Sequence, residues 1–205
     1  RIRRIDELEE FQSRRFVDYK SLIDGGVVAQ LSFVPHSHVD DFEPAPDIKR
    51  KPTPTELEDM RFGWLVESGV TSNSVLYVKD GVTLGIGTGE QDRVGVAEIA
   101  RQKAHRNACE RVCHEEYGIG WLECSDPERR AHVEEIVEQD GGVLAGSVMI
   151  SDAFFPKRDG VEVGLRAGVC AVLQPGGSLK DADVVAACNE YCATMCFTGQ
   201  RSFRH

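Results

Sequence analysis

From Gly141 to Gly199 the chain alternates three short β-rich runs with two helical ones, and this alternation limits the fold more than any other feature. GGVLAGSVMIS (141–151), VCAVLQ (169–174) and TMCFTG (194–199) are apolar runs too short for helices. GVEVGLRAG (160–168) and Asp181 to Tyr191, which lie between them, carry helical spacing. Strand, helix, strand, helix, strand implies a largely parallel sheet covered by helices. An earlier pair of runs, Val75–Tyr77 and Val82–Ile86, flanks Asp80-Gly81, a strong hairpin signal that adds an antiparallel part. The expected fold class is therefore α/β: a three-layer α/β/α sandwich on a mixed sheet with that hairpin toward its N-terminal side.

The remaining segments fill in around this frame. Residues 1–24 read as a charged helical opening, and Gly25–Val34 as a strand. Pro35–Thr55 is rich in Pro and Asp without periodicity, as a surface loop would be. Thr55 is the expected cap of a helix over Glu56–Val66, Val94 to about Tyr117 is a long helix, and 125–141 is a second charged one. At 205 residues the whole chain, 1–205, is expected to be one domain.

Composition excludes some classes of function. Net charge is −10, which disfavours a basic nucleic-acid-binding face but leaves room for a few arginines in a cleft. There is no apolar run near 18 residues, so no membrane span is expected, and RIRRIDELEEF lacks the apolar stretch of a signal peptide. The chain opens on Arg1, as a piece of a longer product would. Seven cysteines with no CxxC pair point to free thiols in a reducing, cytoplasmic setting. Cys188, Cys192 and Cys196, spaced by four, lack the short ligand pairs of a zinc site and read as small buried hydrophobes; no metal is expected.

In a parallel sheet, ligands bind outside the carboxyl ends of the strands. Three loops fall there, SDAFFPKRDG, QPGGS and TGQRSFRH, and all are unusual in composition. Adjacent residues such as Phe154 and Phe155 do not share a face, so one is expected to meet a ligand and the other the core. QPGGS can offer free N–H groups to an anion at a helix start, or be an ordinary turn capped by Ser178. GIGTG (85–89) lacks the spacing and the βαβ context of a dinucleotide fingerprint, so its glycines read as close-packing residues. Arg93 opens a helix, where the dipole disfavours a cation, which suggests an anionic ligand.

Four segments in one order, SNSVLYVKDGVTLGIGTGEQDRV, SDAFFPKRDG, AVLQPGGSLKD and FTGQRSFRH, resemble the transformylase region of the AICAR transformylase/IMP cyclohydrolase family of purine biosynthesis. The match spans roughly 56–94 and 147–205, is weak over 14–34 and nearly absent over 105–145, and corresponds to the second half of that region. The resemblance implies a cytidine-deaminase-like fold and a dimer whose sites use both chains. It implies formyl transfer from 10-formyltetrahydrofolate, as co-substrate, to the 5-amino group of AICAR, with no metal required.

By position, the resemblance implies that Asn73, Arg93, Phe154 and Arg201 contact the nucleotide. Val94, Asp159, Ser178 and Leu179 would surround the folate, and His205 would lie near the reaction centre. Four departures qualify it. The family's adjacent Lys-His pair belongs to the first half, no Lys-His dipeptide occurs here, and nothing in the chain resembles the cyclohydrolase domain. Asp92 and Lys157 replace a serine and an aromatic, and Asp92 is expected to weaken the pull of Arg93 on a phosphate by ~1 kcal/mol. The expected function is therefore formyl transfer with this chain as a homodimer or beside a first-half chain. The alternative is a non-catalytic nucleotide- or folate-binding module.

Overall fold

The computed structural model describes residues 17–35 and 38–202. It divides into two units, 1–35 and 36–205. In the first, β1 (Val17–Ser21) and β2 (Val27–Leu31) form an antiparallel hairpin in which Val17 pairs with Leu31 and Ser21 with Val27. Gly25, at φ 84°, and the Asp24 carboxylate, which accepts the Gly26 N–H at 2.9 Å, shape the turn. Sequence reading finds β2 but takes β1 for the end of a helix. Its alternation of Val17, Tyr19 and Ser21 is a strand signal that the neighbouring charges hide. The rest of the expected opening helix lies outside the described residues.

The second unit is a six-stranded mixed sheet in the order β3-β8-β7-β6-β4-β5. Its strands are β3 (Glu43–Pro44), β4 (Val75–Lys79), β5 (Val82–Gly87), β6 (Val148–Ser151), β7 (Ala171–Gln174) and β8 (Thr194–Phe197). β6, β7 and β8 run parallel, while β3, β4 and β5 each pair antiparallel. The hairpin expected at Asp80-Gly81 is present, with both residues at positive φ. The Asp59 carboxylate accepts the N–H groups of both, at 2.9 and 2.7 Å.

The described residues form five helices, α1 (Pro54–Glu67), α2 (Arg93–Tyr117), α3 (Pro127–Glu138), α4 (Arg158–Arg166) and α5 (Asp181–Glu190), and all but α3 cover the sheet. Strand periodicity divides them. Val75, Tyr77, Met149, Val172 and Met195 point to the core shared with α2, α4 and α5. The alternate residues Val78 and Ile150 meet α1 at Gly63, where a Cβ would stand 2.6 Å from the Ile150 side chain. This gives the three layers that the sequence pattern implies. α3 packs outside α2 over a smaller core of Cys109, Cys113, Trp121, Cys124, Val133 and Val137.

Two expectations are corrected at the edges. The cap of α1 is Thr53, not Thr55: its hydroxyl accepts the Glu56 N–H, and the Glu56 side chain accepts the Thr53 N–H. Pro54 then takes the first helical position, where its missing N–H costs nothing. The Pro35–Thr55 segment also does more than cover surface. Phe42 and Ala45 are buried, and Glu43–Pro44 add a strand to β8. Arg50 bonds the carbonyls of Cys170 and Cys192 and pairs with Glu56, joining α1 to the amino ends of β7 and β8.

GIGTG is explained by packing. A Cβ on Gly85 would stand 2.2 Å from the Ala100 carbonyl oxygen, and one on Gly87 2.1 Å from that of Val96. The small face of α2 (Ala97, Ala100, Ala104) lies directly on β5, and only glycine admits it.

Candidate functional site

The parallel strands end at one edge of the sheet. Because β4 runs against β6, with Val75 opposite Ser151, the start of β4 and the end of β5 reach that edge too. Five loops therefore meet: 72–74, 88–92, 152–157, 175–180 and 198–202. The carboxyl-edge rule predicts three of them. The other two follow only from the antiparallel pairing.

Hydrogen bonds tie the three post-strand loops together. Gln174, buried at the end of β7, accepts the Phe155 N–H at 2.8 Å through its side chain. Its backbone carbonyl accepts the Thr198 N–H at 2.9 Å, and the Ser202 N–H donates to the Asp152 carbonyl at 2.9 Å. The two aromatics part: only Phe155 joins the core. Phe155 is fully buried beside Gly160, whereas Phe154 is half-buried under the Arg201 guanidinium, 4.6 Å above its ring. A cation over a ring face in this geometry is attractive.

Arg93 lies at the centre and is the only buried Lys or Arg among the described residues. One guanidinium nitrogen, Nη1, donates to the Asp152 carboxylate, to the Ser74 carbonyl at 3.2 Å and to Ser151 Oγ at 3.2 Å. The other, Nη2, donates to Asn73 Oδ1 at 3.0 Å. The Asn73 amide in turn donates to the Glu90 and Gln91 carbonyls, both at 3.0 Å. Asn73, Arg93, Phe154 and Arg201, from four distant parts of the sequence, thus belong to one connected cluster. Arg93 opens α2 against the helix dipole because Asp152 compensates it there.

Asp92 also has a structural role: its carboxylate accepts the Gly95 N–H at 2.7 Å and caps α2. In QPGGS two N–H groups are occupied within the loop and the helix that follows it. The Asp181 carboxylate accepts those of Gly177 and Ser178 at 2.7 and 3.0 Å, and Ser178 Oγ accepts that of Lys180 at 3.1 Å. The loop is a turn closed by its own acid, with no N–H left over for an anion at those two positions.

The remaining expected residues sit around the same edge. Val94 is half-buried in the first turn of α2, Asp159 is exposed in the first turn of α4, and Leu179 is fully exposed on the loop before α5. His205 lies outside the described residues. Arg158 bridges Glu162 and Glu190, at 2.5 Å to Glu162, and so links α4 to α5.

Below the cluster lies a residue that sequence reading does not find. Glu67, the last residue of α1, is fully buried, and its Oε1 accepts the Ser74 hydroxyl. Burial, aided by the nearby Asp152 charge, pushes its carboxyl up to about 8, against partial offsets from Ser74 and Arg93. Asp152 Oδ1 also accepts the Ser74 N–H at 3.1 Å. Nothing in VESGVTSNS marks Glu67 as different from a surface glutamate ending a helix.

Other features of the unit are less suited to a ligand. A cleft of about 360 Å³ between α2, α4 and residues 141–144 is lined by charges already paired: Arg101 with Glu98, His105 with Glu138, Arg166 with Glu162. No group of three or more His, Cys, Asp or Glu among the described residues could hold a metal. Burial pushes the Cys170 and Cys188 thiols up to about 12 and that of Cys196 to about 11, which keeps them unreactive. Among the described residues no helix is long and apolar enough to cross a membrane.

Comparison with known proteins places this edge in context. The family model described as AICARFT/IMPCHase bienzyme matches residues 1–103, a range that includes 14–34, where the resemblance read from the sequence is weak. The bifunctional purine biosynthesis protein PurH of Agrobacterium fabrum is 39% identical over 183 residues, covering 89% of this chain and 29% of the relative. That of Mesorhizobium japonicum is 41% identical over 167 residues, covering 82% of this chain and 26% of the relative. The similarity thus reaches well beyond the four motifs, while the chain spans less than a third of the length of either relative.

Proposed function

This chain belongs to the AICARFT/IMPCHase bienzyme family, and from that premise we propose that it serves purine biosynthesis by supplying nucleotide and folate contacts for formyl transfer to AICAR. The observation that carries this reading is the Arg93 cluster. Four residues that the resemblance assigns to the nucleotide, Asn73, Arg93, Phe154 and Arg201, come from separate segments and are joined at the carboxyl edge of the sheet through Asp152. Nη2 of Arg93 carries a second proton that has no partner among the described residues and can meet a phosphate or carbonyl oxygen. Phe154 and the Arg201 guanidinium stacked on its ring together make a flat, positively charged surface against which a heterocycle can lie.

In the reaction, the 5-amino group of AICAR attacks the formyl carbon of 10-formyltetrahydrofolate. Charge develops on the formyl oxygen, and a base takes the amine proton. This chain orients the nucleotide through Arg93 and Asn73. The exposed Asp159 can accept hydrogen bonds from an amino-pterin edge, and Leu179, Val94 and Ser178 bound the same side. The base and the oxyanion donor are assigned to the Lys-His pair of the family's first half, supplied by another segment or chain, in a dimer with the cytidine-deaminase-like fold. The alternative is a binding module without catalysis, and the missing Lys-His dipeptide favours it for the chain acting alone.

Calorimetry with AICAR, followed by an assay with 10-formyltetrahydrofolate in the presence and absence of a first-half chain, separates these readings. AICAR binding that weakens at least tenfold in Phe154→Ala and Arg201→Ala supports the site. Turnover only with the first half supports the enzyme, and binding without turnover in either mixture supports the module. Binding unchanged in both variants rejects the site.

A further inference from the structure

We propose that Glu67 is a positioning residue of the nucleotide site: a buried neutral carboxyl that, through Ser74 and Asp152, sets how much positive charge Arg93 presents to an anionic ligand. The inference rests on reading that edge as a nucleotide site, and its first support is the way buried acids are compensated.

Every other buried carboxylate among the described residues has a charged or multiple N–H partner. Glu56 pairs with Arg50, and Glu162 with Arg158 and Arg166. Asp59 accepts two backbone N–H groups, and Asp152 accepts Arg93 and the Ser74 N–H. Glu67 has only the Ser74 hydroxyl and no cation or N–H of its own; its Oε2, like Asp152 Oδ2, is buried with no hydrogen-bond partner among the described residues. The one buried cation nearby is already paired with Asp152. Ionised, Glu67 would leave two buried carboxylates to one guanidinium, at the carboxyl end of α1, where the helix dipole also disfavours negative charge. Neutral, it leaves Arg93 and Asp152 balanced.

Ser74 makes the link physical. Its hydroxyl meets Glu67, its N–H donates to Asp152, and its carbonyl accepts from Arg93. The charged or titratable groups facing Glu67 are thus Asp152, from the end of β6, and Arg93, from the start of α2. Adding a negative charge at Glu67 offsets the field of Arg93 at the ligand position. A bound anion, conversely, favours the proton on Glu67.

The test uses the full chain and its Glu67→Gln variant, which keeps the shape of the neutral acid but cannot ionise. AICAR affinity is measured by calorimetry from pH 7.5 to 9.5, where the phosphate is already a dianion. The wild-type chain is expected to lose about tenfold in affinity across this range, the size of effect that one added charge near 10 Å produces at intermediate dielectric. E67Q should match wild type at pH 7.5 and stay flat. Parallel profiles for the two proteins overturn the proposal. Carboxyl and guanidinium NMR adds an arm that needs no ligand. The Glu67 resonance should titrate above pH 7, and the Arg93 guanidinium signals should move with the same midpoint. A Glu67 midpoint below pH 6, or Arg93 signals indifferent to it, also overturns the proposal. Failure of AICAR to bind either protein at any pH refutes the nucleotide reading, and the NMR arm then decides the coupling by itself.

Discussion

Replacing Gly87 by alanine adds one methyl group where the structure has no room for it. The new Cβ would stand 2.1 Å from the Val96 carbonyl oxygen, 3.0 Å from Val96 Cγ2 and 3.1 Å from the Ala100 nitrogen. Ordinary contact begins near 3.4 Å, so the first turns of α2 must retreat from β5 by about 1 Å. The obstacle is helix backbone, which cannot rotate aside as a side chain does. A retreat of that size loses part of the packing of Val96, Ala97 and Ala100, all fully buried. Overpacking of this kind costs about 3 kcal/mol or more at its upper end, against total stabilities on the order of 5–15 kcal/mol. For a chain of this size, about 3 kcal/mol lowers Tm by roughly 6–12 °C. Urea unfolding followed by far-UV circular dichroism measures it. Gly81→Ala is the control: it sits at φ 71° with open space around it, so only backbone strain is added, about 1 kcal/mol. A G87A protein within 1 kcal/mol of wild type, with an unchanged denaturant slope, would refute the claim that glycine is there for the helix.

Two further predictions concern the buried charges. Asp152→Ala leaves Arg93 buried without its counter-charge and should cost about 3–5 kcal/mol in urea unfolding, with much of that recovered when Arg93 is replaced by Met in the same chain. An additive double variant would show that the two do not form a pair. Glu67→Gln should change how stability depends on pH. With the folded carboxyl at about 8 and the unfolded one near 4.5, the wild-type contribution is complete below pH 4.5 and is lost as pH rises toward 8. At about 1.4 kcal/mol per pH unit the full swing is on the order of 5 kcal/mol. E67Q should therefore gain on wild type steadily between pH 5 and 8, and a constant difference between the two unfolding curves would count against a neutral Glu67.

The fold was legible where the pattern was local. Three apolar runs with helices between them specify a parallel core, and Asp80-Gly81 specifies a hairpin, because strand and turn preferences act within a few residues. The missed features are those where local preference was silent. β1 is hidden by flanking charges. Pro35–Thr55 has no period, yet Glu43–Ala45 pair with β8 and Arg50 bonds the amino ends of β7 and β8. Thr53 and Thr55 each have a glutamate three residues on; Pro54, suited to the first helical position, and the Glu56 side chain reaching back to the Thr53 N–H decide for Thr53.

Residue types alone fixed which positions could carry chemistry: an arginine at a helix start, an aromatic pair at a strand end, and glycines without a nucleotide-binding spacing. Tertiary structure decided what each of them does. The antiparallel placement of β4 beside β6 brings Asn73 and Ser74 within reach of Asp152, and α2 delivers Arg93 to both. Asp92 and Asp181 act as helix and turn caps, because N–H groups a few residues away bind their carboxylates. Glu67 gains its unusual character only from burial beside a second acid, a property of dielectric and neighbours that no single stretch of sequence encodes.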